Sequence, residues 1–124
     1  MKQVKTLNAP EAIGPYSQAI IINNMVYTSG QIPVNPVTGN IPEGIEAQAK
    51  QVFENIKNLL EASGTSINNV VKTTVFIKNM QDFPVVNGIY ADYFTEPYPA
   101  RSCVEVSALP KGVLIEVEAV AQID

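Results

Sequence analysis

The segment Pro99-Ala100-Arg101-Ser102-Cys103-Val104-Glu105 sets the chain's only arginine two positions before its only cysteine, in a run that reads as a β-strand. Residues i and i+2 of a strand point the same way, so a planar cationic fork and a thiol share one face. That pair suits gripping a small carboxylate better than it suits a core. The chain has no histidine. Ser-His and Cys-His nucleophile pairs and ordinary zinc sites are therefore excluded, and any chemistry falls to carboxylates, tyrosines, one thiol, backbone dipoles and water. Such a set fits a substrate that is already reactive and needs only positioning and proton handling.

A second strand towards the C-terminus carries Glu116. If it pairs with the Arg101 strand as an antiparallel hairpin centred on Leu109-Pro110, Arg101 falls opposite or diagonal to Glu116, with Cys103 near Leu114. Arg101 would then bind a substrate carboxylate bidentately while Glu116 handles a proton or orients water; the alternative is a plain cross-strand ion pair. Cys103 has no neighbouring base to activate it, so packing or substrate contact is expected rather than covalent catalysis. Tyr16 follows a Gly14-Pro15 bend, from which its hydroxyl reaches either a cleft or an interface. Ser29-Gly30-Gln31 ends a strand with a residue that lets ligand or backbone come close, or simply turns the chain. The acidic pairs Glu116 with Glu118 and Asp92 with Glu96 offer too few convergent oxygens for a hard cation, and no metal is expected.

The elements that must hold these residues follow from periodicity. Ser17 to Ile22 and Met25 to Ser29 are apolar runs joined by Asn23-Asn24, which tolerate the positive φ of a two-residue hairpin. Gly30 to Gly44 contains too many breakers for regular structure and reads as a long loop. From Ile45, apolar residues recur at three and four through Leu60, with Lys, Glu, Gln and Asn opposite and Gly64 placed to end a helix. Val70 to Ile77 is β-branched and reads as a strand buried mostly on both faces. A second helix starts near Asp82 and Pro84, carries Phe83, Val86, Tyr90, Tyr93 and Phe94 on one stripe, and stops before Pro97. Ala100 to Ser107 and Val113 to Ile123 complete the list. One mixed sheet with two helices on one face, an α+β architecture, accommodates this order in a single domain spanning 1–124.

Such a layer leaves the second sheet face bare. Ile115, Val117, Ala119, Ala121 and Ile123 line one side of the last strand, while Leu114, Glu116, Glu118, Val120 and Gln122 line the other, which is too apolar for full solvation. A homo-oligomer with packed sheets is expected. The net charge of −4 offers no basic field for phosphates, so nucleic acid is not expected as a partner. A lone cysteine, no signal-peptide pattern and no apolar run long enough for a bilayer lead to the expectation of a cytoplasmic protein with no membrane partner.

Ala12-Ile13-Gly14-Pro15-Tyr16-Ser17-Gln18, Thr28-Ser29-Gly30-Gln31-Ile32-Pro33, Val71-Lys72-Thr73-Thr74-Val75-Phe76, Asn87 with Tyr90, and Pro99 to Val106 together resemble the signature blocks of the RidA family, the YjgF-type imine deaminases. The resemblance runs from about Asn8 to the C-terminus, and the Arg-Ser-Cys block is its most specific part. It implies a chorismate-mutase-like subunit in a homotrimer with a barrel-like core and three clefts between subunits. It further implies hydrolysis of enamines and imines of the 2-aminoacrylate and 2-iminobutanoate type, by-products of pyridoxal-phosphate-dependent dehydratases, to 2-oxo acids and ammonia without a cofactor. On matching positions, Arg101 would clamp the carboxylate, Glu116 would position water or shuttle a proton, and Cys103 would contact the acid through its strand. Tyr16, Ser29, Gly30 and Asn87 would complete the cleft. Ala108 stands where many relatives carry arginine, which bears on subunit contacts rather than on the clamp. The alternative function is a regulatory module, of translation or metabolism, that holds a small carboxylate as a signal without useful turnover.

Overall fold

The computed structural model describes residues 1–124. Six strands form one mixed sheet: β1 (Lys2–Val4), β2 (Ala19–Ile22), β3 (Met25–Thr28), β4 (Val70–Ile77), β5 (Ala100–Glu105) and β6 (Ile115–Gln122). Two helices, α1 (Ile45–Ala62) and α2 (Phe83–Tyr93), connect them. The strand order is β1-β2-β3-β6-β4-β5. Asn23 and Asn24, with φ of 50° and 61°, make the turn between β2 and β3, whose twist matches that of the flanking strands.

The core lies between α1, α2 and one sheet face. Phe53, Ile56, Leu59 and Leu60 of α1 are fully buried, as are Val75 and Ile77 of β4 and Ile115 and Val117 of β6. At roughly 1.5–3 kcal/mol per large side chain removed from water, this seam is the main source of stability. Along β6 the residues Ile115, Val117, Ala119 and Ala121 are buried while Glu116, Glu118 and Val120 between them are not, the alternation expected for a sheet covered on one side.

Three expectations need correction. β5 and β6 do not form a hairpin: β5 pairs in parallel with β4, β6 pairs antiparallel with the other side of β4, and β4 lies between them. The physical reason is burial. The alternating fully buried residues of β6 demand a central position, whereas Arg101 and Ser102 are tolerated at an edge. Residues 106–114, including the short turn at Pro110–Gly112, carry the chain across β4. Second, β4 is not buried on both faces: Thr73, Val75 and Ile77 are buried, whereas Thr74 and Phe76 are only partly covered and Val71 is exposed. Third, not all polar residues of α1 face solvent. Asn55 is buried and donates to the carbonyls of Ile32 and Val34, at 3.0 Å each, and Gln48 donates to Pro42 O and accepts from Leu114 N. These two side chains fasten the irregular Gly30–Gly44 segment to the helix.

Candidate active site

The parallel register of β4 and β5 sets Arg101 opposite Thr73 and Cys103 opposite Val75. Opposed residues share a face, so both Arg101 and Cys103 point towards the helix layer. The guanidinium lies over Tyr90, 4.7 Å from the ring centroid, with Phe83 at 5.2 Å. Its Nη1 donates to Asn87 Oδ1 at 2.8 Å. Phe83, Asn87 and Tyr90 are spaced at i, i+4 and i+7, so one stripe of α2 supplies the whole platform. None of these contacts neutralises the charge. The chain's single ion pair is Lys50 with Glu46, far from Arg101 in the sequence and on the exposed surface of α1. A planar fork oriented by neutral groups, with its remaining N–H donors unspent, has the charge and the geometry to receive a carboxylate.

Cys103 is half-buried and packs against the core. Burial pushes its thiol pKa up, while Arg101 pulls the other way. Such a thiol stays protonated at neutral pH, which suits packing and not nucleophilic attack. Arg101, Asn87, Tyr90, Ala91, Tyr98 and Pro99 surround an open concavity.

Glu116 stands apart from this group. It lies opposite Phe76, whose other neighbour is Val104, on the sheet face turned away from the helices. The hairpin geometry that brought it beside Arg101 therefore does not exist within one chain. Its neighbour is Gly30: a methyl group there would overlap the Glu116 carboxylate, lying 2.8 Å from Cδ and 3.1 Å from Cγ. Glycine is needed at this position for the close approach, not for its φ. Burial raises the Glu116 pKa, and Glu118, two residues on along the same face, raises it further.

Tyr16 is exposed and shares a concavity with Gly30 and Gln31. Ser29 donates its hydroxyl to the Ser17 carbonyl at 2.6 Å, which pins the mouth of the hairpin. Gln18, buried below this loop, bonds to Thr6, Ala9 and Pro10 and holds residues 6–16 in place. The seven residues singled out from the sequence therefore fall into two groups. Arg101, Asn87 and Cys103 form one; in the other, Glu116 meets Gly30 on the far sheet face, with Ser29 next to Gly30 in the chain and Tyr16 sharing its concavity. Phe83 and Tyr90 read in the sequence as part of an apolar helical stripe, and Tyr90 with Asn87 as a family signature, but neither as a platform for Arg101. Their spacing with Asn87 on one helical stripe was the available signal for a platform. No three His, Cys, Asp or Glu side chains converge on one point, and no helix is long and apolar enough to cross a membrane.

Residues 6–123 match the family described as Endoribonuclease L-PSP. The chain is 54% identical over 123 residues to the 2-iminobutanoate/2-iminopropanoate deaminase of Escherichia coli K12, covering 97% of this chain and 96% of that protein. Among solved structures, RidA from the Antarctic bacterium Psychrobacter superposes with a TM-score of 0.96 at 47% identity, covering 99% of this chain and 100% of the other. E. coli TdcF with bound serine superposes with a TM-score of 0.95 at 44% identity, covering 100% of both chains.

Proposed function

The chain belongs to the Endoribonuclease L-PSP family, that of RidA and YjgF, and from that membership we propose that it hydrolyses short 2-imino acids and their enamine tautomers to 2-oxo acids and ammonia. The observation that carries this reading is Arg101: a lone guanidinium, aimed by Asn87 and two aromatic rings and left without an acidic partner. The deaminase name of the E. coli relative supplies the substrate class, and the serine bound to TdcF fits a site that receives a small amino-acid carboxylate.

Arg101 and Glu116 lie on opposite faces of one sheet, so one substrate meets both only if a second copy supplies the missing half. The apolar outer face, with Tyr27, Phe76, Val104 and Val120 among its residues, gives the copies a surface to bury. A homotrimer, as family membership implies, forms three such composite clefts. Arg101 and Asn87 come from one chain, Glu116 and Gly30 from its neighbour. Tyr16 and Ser29 flank the neighbour's half, and the edge strand of Cys103 offers backbone contacts to the acid.

In that cleft the carboxylate of the imine rests on Arg101. The imine carbon is already electrophilic, so positioning and electrostatics dominate the catalysis. Glu116 takes a proton from water as the oxygen bonds to C2, the C=N electron pair moves to nitrogen, and Glu116 returns that proton to the nitrogen to give the carbinolamine. The carbinolamine then collapses: Glu116 takes the O–H proton as C=O forms and passes it to the amino nitrogen, and the C–N bond breaks to release ammonia. The Arg101 guanidinium as clamp and the Glu116 carboxyl as proton carrier suffice for these steps, which need no cofactor.

The test is a threonine dehydratase supplied with threonine, with free imine trapped by semicarbazide. The protein should speed 2-oxobutanoate formation and lower the trapped fraction. Arg101→Ala, losing charge-assisted hydrogen bonds of roughly 1.5–3 kcal/mol, should need about 10- to 100-fold more protein for the same effect. No acceleration by the unaltered protein sinks the hydrolytic reading.

A further inference from the structure

Beneath Arg101 a closed circuit of contacts joins sheet to helix. Thr73 lies directly opposite Arg101 in the β4–β5 register and is fully buried. Its Oγ1 is 2.8 Å from the hydroxyl of Tyr90, which is only 5% exposed. The Tyr90 ring is stacked on Phe94, with centroids 4.3 Å apart, and stands edge-on to Phe53 at 5.7 Å. The opposite end of the circuit is the guanidinium over that same ring. Backbone pairing fixes where the Arg101 side chain starts, and the Thr73-anchored ring fixes where it ends.

We infer that Thr73 and Tyr90 are positioning residues for the carboxylate clamp, with the Thr73 hydroxyl holding the Tyr90 ring at the tilt that orients the Arg101 fork. The inference rests on the hydrolytic reading only for its substrate, not for its geometry. An arginine over an aromatic face gains cation–π attraction, and its flat fork loses less freedom when the plane beneath it is fixed. Without the threonine hydroxyl, the buried phenol lacks a partner and must turn to find one. The ring turns with it, and the fork is no longer held for two parallel hydrogen bonds. Asn87 grips a single nitrogen, which leaves the guanidinium free to swing about that bond.

The chain has one arginine, so its side-chain Nε–Hε signal in a ¹⁵N-correlated NMR spectrum is assigned without ambiguity and carries the ring-current shift of Tyr90. Three variants serve: Thr73→Val, Thr73→Ser and Tyr90→Phe. Thr73→Val should move the Arg101 signal towards the position of a free arginine, weaken 2-oxobutanoate binding about fivefold, and raise KM by the same factor with kcat nearly unchanged. Thr73→Ser, which keeps the hydroxyl, should restore all three. If Thr73→Val does not fold, Tyr90→Phe, which keeps the ring and loses the pin, should shift the signal in the same direction. An Arg101 signal unmoved in the folded variants, or a serine variant as impaired as the valine one, overturns the inference. Failure of the unaltered protein to bind 2-oxobutanoate would instead tell against the proposed function, because the NMR shift reports the clamp's geometry without substrate.

Discussion

Glu116 experiences two effects of the same sign. Partial burial disfavours its charged form, and the Glu118 carboxylate on the same strand face adds repulsion. The folded chain therefore holds the Glu116 proton at a pH where the unfolded chain has released it. That contribution to stability is present at low pH and is lost as pH rises through the raised value. If the ionised carboxylate is the working form, kcat/KM falls as pH drops through the same value. Glu118→Gln removes the repulsion and should move this acid limb to lower pH. The difference between variant and parent should shrink in high salt, because this carboxyl is only partly buried and remains screened. Rate profiles at two ionic strengths check both statements. An acid limb that stays in place in Glu118→Gln would mean that a group other than Glu116 is being titrated.

Among the elements, α1 does more than fill the core. Asn55 sits within its buried face and satisfies two carbonyls of the segment that leaves Gly30. Asn55→Leu keeps the bulk and strands both acceptors, at a cost of roughly 1–3 kcal/mol in thermal unfolding. Amide exchange should quicken in residues 32–40 while the α1 amides stay protected; an unchanged melting temperature and exchange pattern would show that water replaces the side chain without loss. At this scale the sequence was readable wherever the signal is local. Asn23-Asn24 marked the hairpin, the three-four spacing marked α1, and Val70 to Ile77 was found with the boundaries observed. Pairing was not readable in the same way. Leu109-Pro110-Lys111-Gly112 looks like the tip of a hairpin, but nothing in four turn residues says whether the flanking strands are neighbours or are separated by a third. The choice was made by burial, which draws β6 to the centre and leaves β5 at the edge. The short β1, which pairs with β2, gave no periodic signal in three residues.

For the whole molecule, the half-apolar outer face of β6 was legible, and the structure extends it across the sheet: Ile20, Tyr27 and Val120 align in one cross-strand row, Val104, Phe76 and Glu116 in another. Tyr27 is 47% and Val104 42% exposed, amounts of aromatic and aliphatic surface that favour burial against another copy. The chemistry-bearing residues were also legible, because arginine, glutamate and a close-approach glycine stand out by type. Their division between two faces was not, since it depends on strand order. In the proposed assembly the same sheet face that is too apolar for water carries Glu116 to the neighbour's Arg101, so association and catalysis draw on one surface.

The division of the site between chains is tested most directly by mixing two disabled variants. Arg101→Ala and Glu116→Ala, each strongly impaired alone, are unfolded together in equal amounts, refolded, and assayed for release of 2-oxo acid from the imine. In randomly mixed trimers about one quarter of the clefts pair an intact arginine with an intact glutamate from the adjacent chain, and the mixture should recover about that share of the unaltered protein's activity. If the mixture is no more active than its components although mixed trimers form, both residues act within one chain and the composite cleft is contradicted.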